Sequence, residues 1–198
     1  MSNEIQKLPT IADLTTDIEQ AWKNDQLNFL LSKNPPSKWI AKHPFIKKEV
    51  IINGSKQKVP YEYLPIDKVE HLLRKIFKEY KIEITGQGTA FNGVWVTVRV
   101  HFKSPINGEW YFHDGVGASQ LQTKSGTSPA DLQNINNGAI SMAFPLAKTL
   151  AVKDACDMFG NIFGANLNRA DLVAFTLDAN LTESGKSNTE KMAAHGKL

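Results

Sequence analysis

The chain has 198 residues and a formal net charge of +3, with 41% apolar and 22% charged residues, which is ordinary for a globular protein. That length holds one core-bearing domain with room for a tail, or at most two small ones, and no run of 18 apolar residues is present to span a bilayer. A single cysteine, Cys156, excludes an internal disulfide and a cysteine-based zinc cluster.

The opening stretch MSNEIQKLPTIADL lacks a basic region followed by an apolar one and a small-residue cleavage site, which points to a cytoplasmic protein. Between residues 11 and 31, Leu14, Ile18, Trp22, Leu27, Leu30 and Leu31 recur at roughly helical spacing and predict one or two helices. Asn34-Pro35-Pro36-Ser37 breaks the pattern, and a short helix from Pro36 to Pro44 is expected, pinned by Trp39 and Ile40. Phe45 to Ile52 and Lys58 to Leu64 then flank Asn53-Gly54-Ser55, a strong β-hairpin signal, and the hairpin carries Lys47, Lys48, Lys56 and Lys58.

Asp67 followed by Glu70 has the spacing of an N-cap with its capping box, and Val69, Leu72, Leu73, Ile76 and Phe77 supply the apolar face of a helix over 67–79. Three strands are predicted next, Lys81 to Thr89, Val94 to Lys103 and Glu109 to Val116, as an antiparallel meander. In the middle strand Val94, Val96, Val98, Val100 and Phe102 alternate with Trp95, Thr97, Arg99, His101 and Lys103, giving one core face and one aromatic, basic face. Residues 115–138, including Gly115-Val116-Gly117 and Lys124, read as a long polar connection.

From Ser141 to Arg169, Ala143, Ala147, Ala151 and Ala155 repeat every fourth residue beside Leu146, Leu150, Met158, Phe159 and Ile162, the pattern of a core helix pressed closely onto another layer. Thr149, Lys153, Asp157 and Asn161 form a polar stripe on it, and Gly160 and Gly164 close it. Ala170 to Leu177 is read as a last ordered turn. From Asp178 onward the chain is polar and is expected to be a disordered tail. The expected organisation is a helical segment over 1–44, a core domain over 45–177 and a tail over 178–198. Its fold class is α+β, with a β-hairpin, a helix and a three-stranded meander packed on a long C-terminal helix.

The constellations that carry catalysis are not legible. His43, His71, His101, His113 and His195 have no metal-ligand spacing, and neighbouring strand residues such as His113 and Asp114 face opposite ways. There is no GxSxG elbow and no Walker loop, and Gly86-Gln87-Gly88 is read as a turn at a strand end rather than a dinucleotide fingerprint. Asp154 and Asp157 have no second carboxylate cluster beside them and are read as solvated or ion-paired. No metal, no cofactor and no enzymatic activity are therefore expected. Of the 23 basic residues only Arg74, Arg99 and Arg169 are arginines, so anion binding would rest on lysine point charges, which suit a phosphate backbone better than base edges.

The run VTVRVHFK ending at Lys103, then Tyr111-Phe112-His113-Asp114-Gly115-Val116-Gly117, then AKTLAVKDA and the Phe159-Gly160-Asn161-Ile162-Phe163-Gly164 ending, together resemble the annealing domain of the Rad-fifty-two family of single-strand annealing proteins. Lys58-Val59-Pro60-Tyr61 resembles that domain's hairpin strand, and the resemblance covers about residues 45–170. It implies a ring-forming or filament-forming homo-oligomer that binds single-stranded DNA and anneals complementary strands without ATP, in recombination or repair. The short chain is similar to phage or mobile-element versions. The resemblance assigns Lys153, Lys56 and Lys58 to an inner backbone-binding groove, with Lys47, Lys48 and Lys42 adding charge where Asp154 and Asp157 depart from the family's basic pattern. It assigns Lys103 and Lys124, with Arg99 on the same sheet face, to an outer site. Trp95 is the base-stacking candidate, with Tyr63 a second aromatic whose favoured reading is core packing. A single-strand-binding protein or recombinase is a candidate further partner. The alternative is a non-enzymatic scaffold whose basic face binds an acidic protein.

Overall fold

A computed structural model describes residues 18–52, 55–128 and 130–169. Helix α1 (Ile18–Ser32) belongs to one compact unit, and its exposed face carries a Glu19–Lys23 ion pair one turn apart at 2.6 Å. A second unit begins at Asn34 and contains every other described element. The first boundary therefore falls ahead of the hairpin, and residues 41–44, expected in the helical segment, are strand.

The second unit is α+β. Strands β1 (Ala41–Ile52) and β2 (Ser55–Tyr63) form a two-stranded antiparallel hairpin, and β3 (Tyr80–Ala90), β4 (Gly93–Lys103) and β5 (Trp110–Gln120) form an antiparallel sheet with β4 in the centre. Helix α2 (Ile66–Ile76) lies between the two sheets in sequence, and helix α3 (Ala139–Asp157) follows the second. Between Pro36 and Pro44 only Ser37–Trp39 is helical, a single 3-10 turn, because Pro36 starts it and Ile40 is already extended. Trp39 meets His71 of α2 edge to face at 5.6 Å.

The core sits between the sheet and the two helices. Val94, Val96, Val98 and Val100 of β4 are each no more than 1% exposed; burying a valine is worth about 1.5–3 kcal/mol. Val69, Leu72, Leu73 and Phe77 close the layer from α2. Phe77, Phe102, Phe159 and Phe163 pack ring on ring, with Phe77 to Phe159 at 4.5 Å and Phe102 to Phe159 at 4.7 Å. His113 joins this cluster at 4.6 Å from Phe159, and burial holds its imidazole below its ordinary pKa.

Helix α2 starts at Ile66 with Pro65 in the N-cap position and no side-chain cap. Asp67 is thus inside the first turn rather than capping it, because the fixed proline geometry lets the Pro65 carbonyl accept from Lys68 and Val69 N–H.

Two glycine segments depart from expectation. Gly86-Gln87-Gly88 lies inside β3 rather than in a turn, next to a register shift between Ile84 and Gly86. Strand β5 runs on to Gln120, past the expected end at Val116, so Gly117, expected in a connection, lies in it along with Gly115, and both are buried under α3. A Cβ on Gly115 would stand 2.3 Å from the Ala151 carbonyl oxygen, and one on Gly117 would stand 2.1 Å from that of Ala147. The four-residue alanine ridge therefore packs on bare strand backbone, a close approach open only to glycine.

Helix α3 ends at Asp157, so Asn161 leaves the predicted polar stripe and sits buried in the 3-10 turn Asn161–Phe163. Its side-chain amide donates to the Asn34 side-chain oxygen. Leu146, Leu150 and Met158, grouped with the core by periodicity, are exposed, whereas Ala143, Ala147, Ala151, Val152, Ala155 and Cys156 form the buried side of the helix. The expected turn at Ala170–Leu177, the tail from Asp178 and His195 lie outside the described residues. Among those described, no helix is long and apolar enough to cross a membrane.

Candidate nucleic-acid interface

Cross-strand partners in an antiparallel ladder share a face, so register sorts the hairpin's side chains. Lys42 pairs with Glu62, Lys47 with Pro60, Glu49 with Lys58 and Ile51 with Lys56, which puts Lys42, Lys47, Lys56 and Lys58 on one exposed side. Lys48 pairs with Val59 and Val50 with Gln57 on the other side, which leads to Tyr61 and Tyr63.

Lys48 Nζ donates to the Leu167 carbonyl at 3.4 Å, and Lys153 Nζ stands 4.5 Å from the centre of the Tyr63 ring. The five lysines assigned to one inner groove are therefore divided by the hairpin. Lys48 and Lys153 lie on its inner side, whereas Lys47, Lys56 and Lys58 lie on its outer side. A strand displays alternate residues to opposite faces, so Lys47 and Lys48 cannot share one.

The hairpin root is tied down where Asn168 bridges the β2 edge. The Glu62 N–H donates to Asn168 Oδ1 at 3.0 Å, and Asn168 Nδ2 donates to the Glu62 carbonyl at 2.6 Å. Around this root, burial lowers the pKa of Lys153, with Asp157 opposing. Asp157 reaches the surface, but the atoms packed round its carboxyl desolvate it; with Asp154 adding to the effect and Lys153 and Arg169 opposing, its pKa is pushed up to about 6. Asp154 has a different task. Its Oδ2 accepts from the Val116 N–H at 2.9 Å, capping an otherwise free edge of β5.

The outer face of the second sheet carries fewer free cations than its sequence suggests. Arg99 donates from Nε and Nη2 to both carboxylate oxygens of Asp114 at 2.7 and 2.8 Å, and its guanidinium lies 4.0 Å from the Phe112 ring centre. This bidentate pair raises the pKa of Arg99 and lowers that of Asp114. Lys103 pairs with Glu79 at 2.9 Å, and His101 with Glu83 at 2.8 Å. The partners Asp114 and Glu83 sit directly across from Arg99 on the neighbouring strands, a cross-strand relation that only the register reveals.

Lys124 is exposed in the connection after β5, which is well ordered by hydrogen bonds. Lys124 N–H donates to the Asn134 carbonyl at 2.9 Å, and Asn136 N–H to that of Gln122 at 2.9 Å. Lys124 is thus separate from Arg99 and Lys103 in pairing as well as in sequence.

Trp95 is 37% exposed and lies over Gly86 and Gly88, where a Cβ on Gly88 would come within 2.9 Å of the indole. One face of the ring covers strand backbone, leaving the remainder of the indole for a ligand. Sequence reasoning missed two exposed aromatics. Phe91 is 98% exposed at the β3–β4 turn with φ of 51°, and Phe45 is 88% exposed in an irregularity of β1. No periodic pattern marks either, since both sit where the strand alternation is interrupted.

Among the described residues no three His, Cys, Asp or Glu side chains gather as a metal site. The fold and surface together define an α+β protein with a lysine-bearing hairpin and an open, charge-balanced sheet face. No protein-family model matches the chain, and no curated protein matches it.

Proposed function

We propose that this chain is a non-enzymatic, cytoplasmic single-strand annealing protein of the Rad-fifty-two type, which holds single-stranded DNA along the outer face of its hairpin and pairs complementary strands without ATP, as a homo-oligomer in recombination or repair. The observation that carries the proposal is the placement of Lys42, Lys47, Lys56 and Lys58 on one exposed hairpin face, where they outnumber Glu49 and Glu62. Alternate residues on a strand are about 7 Å apart, so Lys56 and Lys58 present a short row of point charges. Annealing requires strong binding without sequence preference and base edges left free to pair. Lysines on phosphates meet both needs, because they neutralise charge without reading bases.

Arg99 and Lys103 are engaged by Asp114 and Glu79, so the outer sheet face contributes aromatic surface, through Trp95 and Phe112, more than positive field. Base–aromatic stacking is worth roughly 1–3 kcal/mol per base and tolerates any sequence.

The test is annealing of two complementary labelled oligonucleotides without ATP, over a salt series, for wild type, for Lys47→Ala/Lys56→Ala/Lys58→Ala and for Arg99→Ala. The triple variant should lose annealing, and its salt slope should fall by about 0.7 for each phosphate contact removed. Arg99→Ala should retain most binding. A wild-type chain that neither binds nor anneals single strands at low salt would overturn the proposal and turn the lysine face toward an acidic protein partner.

A further inference from the structure

The irregularity in β1 displays an apolar knob. Between the pairs Lys42↔Glu62 and Lys47↔Pro60, residues His43 to Ile46 stand opposite Tyr61 alone. The N–H groups of Phe45 and Ile46 both donate to His43 Nδ1, at 3.2 and 2.9 Å, so the bulge is held in shape. Phe45 is 88% exposed and Ile46 is 53% exposed. Among the described residues nothing covers them.

The same chain offers a matching surface. Met142, Leu146 and Leu150 recur at four-residue spacing along α3 and are 66%, 51% and 39% exposed. Leu150 Cβ lies 2.9 Å from where a Cβ on Gly117 would stand, so the stripe runs beside the free edge of β5. The next residue at this spacing is Asp154, bound to the Val116 N–H. By the alternation of an antiparallel edge, Asp114 and Ala118 turn their backbone groups the same way as Val116. Exposed helix stripes and open strand edges of this kind mark association surfaces.

We infer that the Phe45–Ile46 knob of one copy seats on the Met142–Leu146–Leu150 stripe of a second copy. Charge favours that occupant, because Lys42 and Lys47 flank the knob while Asp154 continues the stripe and Asp157 lies one turn further on. The knob and the stripe are different surfaces, so the contact is head to tail, and repetition yields a ring or an open filament. This inference rests on the homo-oligomer in the proposed function and names its interface.

The experiment uses the full chain carrying Phe45→Glu or Leu146→Glu, both at exposed positions, with Ile46→Glu and Met142→Glu as a second pair and circular dichroism to verify folding. Light scattering after size exclusion should find the wild type oligomeric and each variant monomeric. Mixed in equal amounts, Phe45→Glu and Leu146→Glu should form a dimer and nothing larger, since one intact knob and one intact stripe remain. A monomeric wild type, variants that keep the wild-type mass, or a mixture that stays monomeric would each overturn the inference. An assembly that behaves as expected but fails to anneal strands would instead overturn the annealing function and leave this interface standing.

Discussion

Gly117 lies so close under helix α3 that a methyl group on it would be 2.1 Å from the carbonyl oxygen of Ala147 and 2.4 Å from the amide nitrogen of Ala151. Both are backbone atoms, so no side chain can turn aside to make room. Gly117→Ala must push the helix from the sheet, and it should destabilise the protein by about 3 kcal/mol or more, the upper end of the overpacking range. Urea unfolding would measure it. Gly126→Ala provides the contrast: nothing stands within 4 Å of its added methyl group, and only its φ of 77° opposes the change. A loss at Gly117 no larger than that at Gly126 would contradict the close-packed interface.

Asp154 is expected to act on stability rather than on DNA. Asp154→Ala removes the acceptor of the Val116 N–H at the β5 edge. A hydrogen bond to a charged group contributes about 1.5–3 kcal/mol, and less where water can replace it, as at this exposed edge. Asp154→Asn retains an acceptor and should recover much of the loss in thermal melts. Equal destabilisation by both would show that the bond to Val116 is not what the residue supplies.

Asp157 gives a pH dependence whose sign can be worked out. Its folded pKa of about 6 stands above the ordinary 3.8, so between these values the folded state holds the proton more tightly than the unfolded one. Its contribution to stability is therefore greatest below about pH 4 and is lost as pH rises through 6. Asp157→Asn, which mimics the protonated acid, should melt higher than wild type at pH 7, and the difference should shrink toward zero near pH 4. A melting difference independent of pH would rule out a raised Asp157 pKa.

Phe91 holds a left-handed backbone with its ring 98% exposed. A non-glycine residue in that region costs roughly 1–2 kcal/mol. Phe91→Gly should therefore raise stability, by up to about 1 kcal/mol after the added freedom of the unfolded chain is counted. Strain kept at an exposed ring is one mark of a functional position. If the stabilised variant anneals as fast as wild type, the ring has no part in DNA binding.

Much of the fold was legible in sequence because its signals are local. The valine alternation of β4 marked the buried sheet face, Asn53-Gly54 marked the hairpin, and the alanine repeat marked the close-packed helix. Gly117 was misplaced because glycine signals a turn unless a partner layer needs its missing side chain, and that partner, α3, lies some 30 residues later in the chain. The same limit hid the exposed stripe of Met142, Leu146 and Leu150, since periodicity identifies an apolar face without stating whether anything covers it.

The candidate site divides along the same line. By itself the sequence determined which residues are cationic, that they are lysines rather than arginines, and which strands and helices carry them, because these follow from composition and short-range spacing. Tertiary structure alone decided which of those charges are free to bind. Arg99 is neutralised by Asp114 from the next strand, Lys153 is drawn against Tyr63, and Lys47 and Lys48 are turned to opposite sides of one hairpin. Electrostatic attraction depends on distance through space, and distance along the chain does not supply it.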